Sequence, residues 1–127
     1  MPAYALPLPE EPDPCGTPAY RRRYRALVAR YFLPETVVTR LTASEMIVAA
    51  LLARQQIKAG CCDLTNLEIA AKTEVSATAI RGAFAKLEHE GFITAEMISP
   101  QTRRVRIADE QWISYVFERM GMSRQQL

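Results

Sequence analysis

The sequence predicts a mainly helical domain that carries one small β-hairpin. Three observations support this fold class: apolar residues recur every three to four positions over most of the chain, helix-capping residues separate these stretches, and one later segment alternates like two strands. With 127 residues, 49% of them hydrophobic, the chain is large enough for one domain and too small for two. We therefore divide it into a Pro-rich arm, residues 1–18, and a single domain, residues 19–127.

The arm holds six of the eight prolines, a density that blocks helices and central strands. We expect it to be extended or disordered, and it is a candidate binding segment for a protein partner, because Pro-rich segments dock in aromatic grooves. The arm lacks the basic and apolar regions of a secretory signal, and no stretch has the roughly 20 apolar residues of a membrane helix. A cytoplasmic protein without membrane contact is the expectation.

Little in the sequence points to catalysis or to a metal centre. Cys15, Cys61 and Cys62 form an odd set without CxxC spacing, which disfavours a disulfide framework and a zinc site and favours reduced thiols. The single histidine, His89, has no nucleophile, paired carboxylates or glycine-rich phosphate loop to work with. We predict that the chain is not an enzyme, with no catalytic residues, no metal and no cofactor.

The first predicted helix runs from Ala19 to Leu33, where apolar residues recur at helical spacing until Pro34 ends the pattern. Its other face carries five arginines with no acidic residue between them. Such a face is either solvated or reaches phosphates, and the sequence leaves both alternatives open. The arginines are Arg21, Arg22, Arg23, Arg25 and Arg30.

Capping residues mark the starts of the next three helices. Thr42 and Glu45 form a capping box that opens a helix from about Ala43 to Lys58, and Gly60 is suited to end it in the left-handed conformation. The same capping box recurs at Thr65 and opens a short helix that ends near residue 73. Ser76 then caps a third helix that ends at Gly91.

About three residues separate the last two of these helices, so the helices must cross steeply, as in a helix-turn-helix over residues 65–91. The apolar pattern then alternates, which predicts a hairpin, or wing, over residues 92–108 with a turn at residues 99–102. Asp109 caps a final helix, residues 110–120, with one apolar face.

The stretch from Thr65 to Ile93 resembles the DNA-binding half of MarR-like and GntR-like bacterial regulators. The resemblance implies a winged helix-turn-helix fold, here with extra N- and C-terminal helices, and double-stranded DNA as the partner. Two positions depart from the pattern: Glu74 replaces the usual turn glycine, and Ala77 replaces a long polar residue. Glu74 must adopt a left-handed conformation at about 1 kcal/mol or widen the turn. The matching residues are Glu68-Ile69-Ala70, Val75-Ser76, Ile80, Leu87-Glu88 and Glu90-Gly91-Phe92-Ile93.

The recognition helix, residues 76–90, supplies the first candidate DNA contacts. Arg81 has the planar fork that engages guanine O6 and N7 together, and Thr78 is suited to a phosphate or a thymine methyl group. Ser76 and Lys86 are the further candidates, Lys86 for a phosphate. Gly82 would allow close approach to a DNA backbone or to another helix.

The basic part of the wing, residues 99–106, supplies the second set of candidates. Strand alternation predicts that Val105 and Ile107 are buried and that Arg104 and Arg106 face outward, while Arg103 lies next to the turn. We predict that all three arginines contact a minor groove or adjacent phosphates. The wing is needed because residues 65–91 hold three basic and four acidic residues, a net charge of −1.

These patterns favour a sequence-specific transcriptional regulator that binds double-stranded DNA. The DNA sites of such proteins are often palindromic, so we predict a homodimer formed through the helices Tyr20–Phe32 and Trp112–Met120. The alternative for these apolar faces is packing within one chain. Two alternatives stay open: a winged helix used as a protein-interaction module, and a replication-initiator-type DNA-binding protein of a plasmid or phage.

Overall fold

A computed structural model describes residues 10–100 and 102–120. Within these residues the chain is mainly helical, with six helices and one two-stranded antiparallel hairpin. The coarse fold class predicted from the sequence is therefore confirmed. The elements are α1 (Pro18–Phe32), α2 (Glu35–Val38), α3 (Ala43–Ala59), α4 (Asn66–Thr73), α5 (Ala77–His89), β1 (Ile93–Met97), β2 (Arg103–Ile107) and α6 (Glu110–Met120).

The part of the arm that the structure describes is tied to α1. Thr17 caps the helix by accepting a hydrogen bond from the Tyr20 amide at 3.2 Å, and Pro18 occupies the first turn, where a missing N–H costs nothing. The Arg21 guanidinium donates to the carbonyl oxygens of Pro14 and Gly16, at 3.1 and 2.7 Å. Pro14, Gly16 and Thr17 are therefore hydrogen-bonded to α1, and Pro18 is its first residue, which differs from the extended or disordered segment that we expected. Residues 1–9 lie outside the described part of the chain.

Helix α2 was not predicted. It is a single turn that follows Pro34, and its Val37 side chain is fully buried in the hydrophobic core. Four residues are too few to show a helical period in the sequence, so the turn is set by burial of this valine in the tertiary structure.

Both predicted capping boxes are present. The Thr42 hydroxyl accepts from the Glu45 amide at 3.3 Å while the Glu45 carboxylate accepts from the Thr42 amide at 2.9 Å. Thr65 and Glu68 make the same pair of bonds at 3.2 and 3.1 Å. Gly60 ends α3 with φ of 81°, as its position predicted. Local sequence therefore sets where α3 and α4 begin and where α3 ends.

Helices α4 and α5 are joined by the three residues Glu74 to Ser76. Glu74 adopts the left-handed conformation, with φ of 60° and ψ of 21°, and is the only non-glycine residue with positive φ among the described residues. The two outcomes expected here were a left-handed Glu74 and a wider turn, and the chain adopts the left-handed conformation. Ser76 caps α5 by accepting from the Ala79 amide at 3.2 Å.

The hairpin aligns Ile93 with Ile107 and Met97 with Arg103. Val105 and Ile107 are buried, as alternation predicted, and Ile93 is buried beside Ile107. Cys62, just before α4, extends the sheet by exchanging two backbone hydrogen bonds with Val105, both 2.8 Å. Cys62 is buried, which raises the pKa of its thiol, and all three cysteines are free.

Helix α6 packs over α1 and the hairpin. Asp109 caps it through the Trp112 amide at 3.0 Å, and the fully buried Trp112 indole donates to the Phe32 carbonyl oxygen at 2.9 Å. Val116 and Phe117 are buried as well. One continuous core thus joins α1 to α6. None of the described helices is long and apolar enough to cross a membrane.

Candidate nucleic-acid interface

Helix α5 has one buried and one exposed face. Ile80, Ala83, Phe84 and Leu87 are buried against the core. The opposite face carries short side chains near its start, the guanidinium of Arg81 and, one turn after Ala85, the carboxylate of Glu88. The exposed residues at the start of α5 and along it are Ser76, Ala77, Thr78, Arg81, Gly82, Ala85, Glu88 and His89.

Arg81 is an exposed candidate for base contact on this face. Its guanidinium lies 3.5 Å from the Thr78 hydroxyl, one turn earlier, and it forms no ion pair with any residue in the described ranges. Two of the predicted contacts, Thr78 and Arg81, therefore lie side by side near the N-terminal end of α5. That end is the part of a recognition helix that contacts base edges in helix-turn-helix proteins.

Gly82 lies in the middle of the exposed face. A Cβ atom built there meets no atom within 4 Å, so no contact with the described residues requires a glycine at this position. Of the two reasons considered for this residue, close approach to another helix does not occur within the described part of the chain. Close approach by a separate molecule is consistent with the open space above the helix.

Replacing Gly82 by alanine should therefore stabilise the protein by about 1 kcal/mol, because alanine is the better helix former and has room here. Thermal unfolding followed by circular dichroism would show a rise of a few degrees in Tm. Gly60→Ala is the matched control: Gly60 has φ of 81°, so the same change there should lower Tm. A lower Tm for Gly82→Ala would contradict this description of α5.

The three wing arginines have three different environments. Arg106 is exposed and points away from the core, as predicted, and forms no ion pair in the described part of the chain. Arg104 is also on the outer side but binds Asp63 through two bonds, from Nε at 3.1 Å and Nη2 at 3.2 Å. Arg106 is thus the wing arginine best placed to meet an external phosphate.

Arg103 faces inward. It shares the inner side of β2 with Val105 and Ile107, and its guanidinium stacks on the Phe84 ring, 3.5 Å from the centroid. It also donates to the Asn66 side-chain oxygen, and burial lowers the pKa of this guanidinium. Arg103 therefore holds the hairpin against α5 and α4. Its position on the inner side of β2 follows from strand alternation, whereas we had predicted from its charge that it contacts DNA.

The Asp63–Arg104 pair is an exposed ion pair. Hydrogen bonding from Arg104 holds the pKa of the Asp63 carboxyl below its usual value, and the same bond raises the pKa of Arg104. Asp63 stays ionised at neutral pH, so part of the wing's positive charge is neutralised within the chain.

Lys86 also forms an ion pair within the chain. Its ammonium lies 3.5 Å from Glu90, one turn later, and Arg40 approaches the same carboxylate at 3.3 Å. Such exposed pairs are weak, so Lys86 can still turn to a phosphate. Lys72 is exposed at the end of α4.

The packing also brings α1 to the start of α5, which the sequence did not predict. A cavity of about 230 Å³ is lined by Arg22, Ser44, Ser76 and Ala79, among others. Arg22 is exposed and has no ion-pair partner in the described residues, so it adds a positive charge beside the N-terminus of α5. The run of arginines was visible in the sequence, but which one reaches α5 depends on how α1 packs on α3.

The same packing explains Glu74. Its carboxylate accepts from Arg25 at 3.0 Å and lies 3.6 Å from Arg21. The hydrogen bond from Arg25 lowers the pKa of Glu74. A glutamate in the turn thus links α1 to the α4–α5 unit, which a glycine would not do.

The described residues show no grouping of metal ligands, and His89 is exposed. No protein-family model matches this chain, and neither a curated protein nor a solved structure shows significant similarity to it.

Proposed function

We propose that this chain is a winged helix-turn-helix protein that binds double-stranded DNA sequence-specifically and regulates transcription. The observation that carries the proposal is the N-terminal part of the outward face of α5, which is exposed and has small residues around Arg81, a side chain without an ion pair among the described residues. A helix with this surface can enter a major groove without steric obstruction, and its one long side chain has the donor geometry for guanine.

Each element then has a distinct role. In the proposed complex Arg81 and Thr78 meet base edges, while Gly82 and Ala85 allow the helix to approach closely. Arg106 on the hairpin contacts phosphates on one side of α5, and Arg22 of α1 does so on the other. Two of the wing arginines differ from their predicted role as DNA contacts. Arg103 supports the hairpin, and Arg104 can bind a phosphate only when its ion pair with Asp63 is broken.

Dimerisation stays a prediction. The largest buried apolar side chains of α1 and α6 pack within one chain, among them Phe32, Trp112 and Phe117. On α1, Tyr20 and Leu27 remain about half exposed and would form the core of a dimer contact. A measurement of the molecular mass in solution at micromolar concentration tests this prediction. We expect the mass of a dimer, and the mass of a monomer would contradict the prediction.

A second function is favoured by a specific observation, an apolar groove of about 360 Å³ between the start of α4 and the hairpin. Leu67 and Met97 line it and are 82% and 65% exposed, and Ile98 beside it is half exposed. Exposed apolar clusters of this kind are typical of protein contacts, so the protein-interaction module is retained as the alternative.

Selection from a random pool of DNA duplexes, carried out at low and moderate salt, tests the proposal. DNA binding releases counterions and weakens steeply as salt rises, whereas an apolar protein contact does not. An enriched motif is expected. Retention that depends on salt without an enriched motif would overturn sequence specificity, and no salt-sensitive retention would overturn DNA binding.

Replacing Asp63 by asparagine should strengthen DNA binding several-fold at low salt, because it releases Arg104 and removes one negative charge beside the hairpin. The gain should shrink as salt rises. Glu118→Gln on α6 changes the net charge equally at an exposed site away from the hairpin and should have little effect. Unchanged or weaker binding by Asp63→Asn, measured by fluorescence anisotropy, would contradict a role for Arg104.

A further inference from the structure

Strand β1 has an open edge. Val105 of β2 uses both its N–H and its carbonyl oxygen for Cys62, so these groups point away from Ala95, its partner in register. Bonded and non-bonded pairs alternate along an antiparallel ladder, so the N–H and C=O groups of Ala95 and Met97 both point away from β2. Among the described residues, none outside the hairpin forms a hydrogen bond with them.

The face of the hairpin beside this edge is apolar. Ala95 and Met97 lie on the same face of the sheet as the buried Val105, but both are exposed, as is all of β1 after its first residue. Met97 also lines the apolar groove at the start of α4, together with the strongly exposed Leu67. An exposed edge with an apolar face favours the addition of another strand, and β1 opposes this with one charge, Glu96, and no proline.

A segment of the arm has the sequence pattern of a strand that fits such an edge. In residues 4–9 every second residue is large and apolar, and the residues between are alanine or proline: Tyr-Ala-Leu-Pro-Leu-Pro. In a strand, Leu6 and Leu8 direct their side chains to one face and their N–H groups to one side. Pro7 and Pro9 have no N–H to direct to the other side, so the segment can bond one neighbouring strand but not a second.

The spacing along the chain favours the segment of a second copy. Glu11 lies with Lys72 at the end of α4, whereas the groove beside β1 lies at the start of α4. Three residue steps join Leu8 to Glu11 and span roughly 10 Å, while the eight residues of α4 are about 12 Å long. Leu8 of the same chain therefore stops short of the groove, and the arm of another copy has no such restraint.

We propose that residues 4–8 of a second copy add to the open edge of β1 as an antiparallel strand. Ala95 and Met97 then exchange backbone hydrogen bonds with the segment, and Leu6 and Leu8 cover the apolar face beside Leu67. Two copies can exchange arms reciprocally in this way. The contact is separate from the dimer contact predicted for α1 and α6, and it does not depend on DNA binding.

Backbone-amide hydrogen exchange of the full chain, followed by NMR, tests the contact. The Ala95 and Met97 amides point away from β2, so they are protected only when another strand bonds them. We expect them to exchange at least about tenfold more slowly than unprotected amides. Thr94 and Glu96 face β2 and are the internal reference for a folded hairpin. Unprotected exchange at Ala95 and Met97 beside a protected Thr94 and Glu96 would overturn the proposal.

Paired variants of the arm test the assigned segment. Leu6→Asp with Leu8→Asp should remove the protection of Ala95 and Met97, because it places two charges on the apolar face. Ala3→Asp with Ala5→Asp is the matched control, since it adds the same charge on the opposite face and should leave the protection unchanged. Protection that survives the leucine changes would assign the edge to a different strand, such as β1 of the second copy, and an equal loss in both variants would contradict the strand pattern. Either result overturns the proposal.

Mixing two chains identifies the copy that supplies the segment. The isotope-labelled chain carries Leu6→Asp and Leu8→Asp, so its own arm cannot protect it. Adding the unlabelled chain with an intact arm should restore slow exchange at Ala95 and Met97 of the labelled chain, and adding the unlabelled double variant should not. If protection fails to return, the segment does not come from a second copy and the proposal is wrong.

Discussion

Replacing Trp112 by alanine is expected to lower the free energy of unfolding by about 3–5 kcal/mol, a large share of the roughly 5–15 kcal/mol typical of a domain. The side chain is fully buried, donates a hydrogen bond to the Phe32 carbonyl oxygen at 2.9 Å, and packs edge-on against Phe92 at 6.3 Å. It joins α6 to α1 and to the residue before β1. Its removal leaves a cavity where these three parts meet and an unpaired carbonyl oxygen.

Urea unfolding followed by circular dichroism measures this loss. Trp112→Phe is the control, since it keeps most of the buried apolar volume and removes the N–H donor. We expect it to cost about 1–3 kcal/mol, the range for an unsatisfied buried acceptor, plus a part of the lost volume. A loss below about 1 kcal/mol for Trp112→Ala would show that α6 is not part of the cooperative core.

Replacing Arg81 by glutamine is expected to abolish most of the sequence preference in DNA binding. A bidentate arginine–guanine contact discriminates by about 1–3 kcal/mol, which corresponds to roughly 5- to 150-fold in affinity ratio. The affected quantity is the ratio between the selected duplex and a shuffled duplex. Arg81 is exposed and forms no ion pair within the described residues, so its loss should leave stability almost unchanged.

Arg106→Gln is the matched control for this change, because it removes one exposed arginine of the hairpin that we assign to phosphate contact. It should weaken binding to both duplexes equally and reduce the salt slope by about one. Fluorescence anisotropy at several salt concentrations separates the two patterns. An Arg81 variant that loses affinity equally for both duplexes would place Arg81 at a phosphate and remove the base-reading role.

Features that depend on neighbours in sequence were predicted well. The capping boxes at Thr42 and Thr65 need only four residues each, and the left-handed Gly60 needs only the end of one helix. The inward alternation of Val105 and Ile107 follows from the two-residue period of a strand. These local signals were enough to predict the order of the main helices and the hairpin.

Features that depend on tertiary packing were not predicted. The sequence alone suggests that Arg103 is a surface charge, but its guanidinium contacts Phe84 and Asn66. It likewise suggests that Arg104 has no partner, but Arg104 forms an ion pair with Asp63. The reason for Glu74 lies in Arg25, 49 residues earlier in the chain. The hairpin therefore supplies fewer candidate DNA contacts than the sequence predicted, and α1 supplies an additional one.

The most direct test of the central claim, that the outward face of α5 lies on DNA, is a titration of the chain with a short duplex followed in backbone-amide NMR spectra. We predict the largest changes at Thr78, Arg81 and Gly82, smaller ones at Arg106, and none at Leu67 or Met97. Changes centred on Leu67 and Met97, or no changes at low salt, would contradict the claim and favour the protein-interaction function.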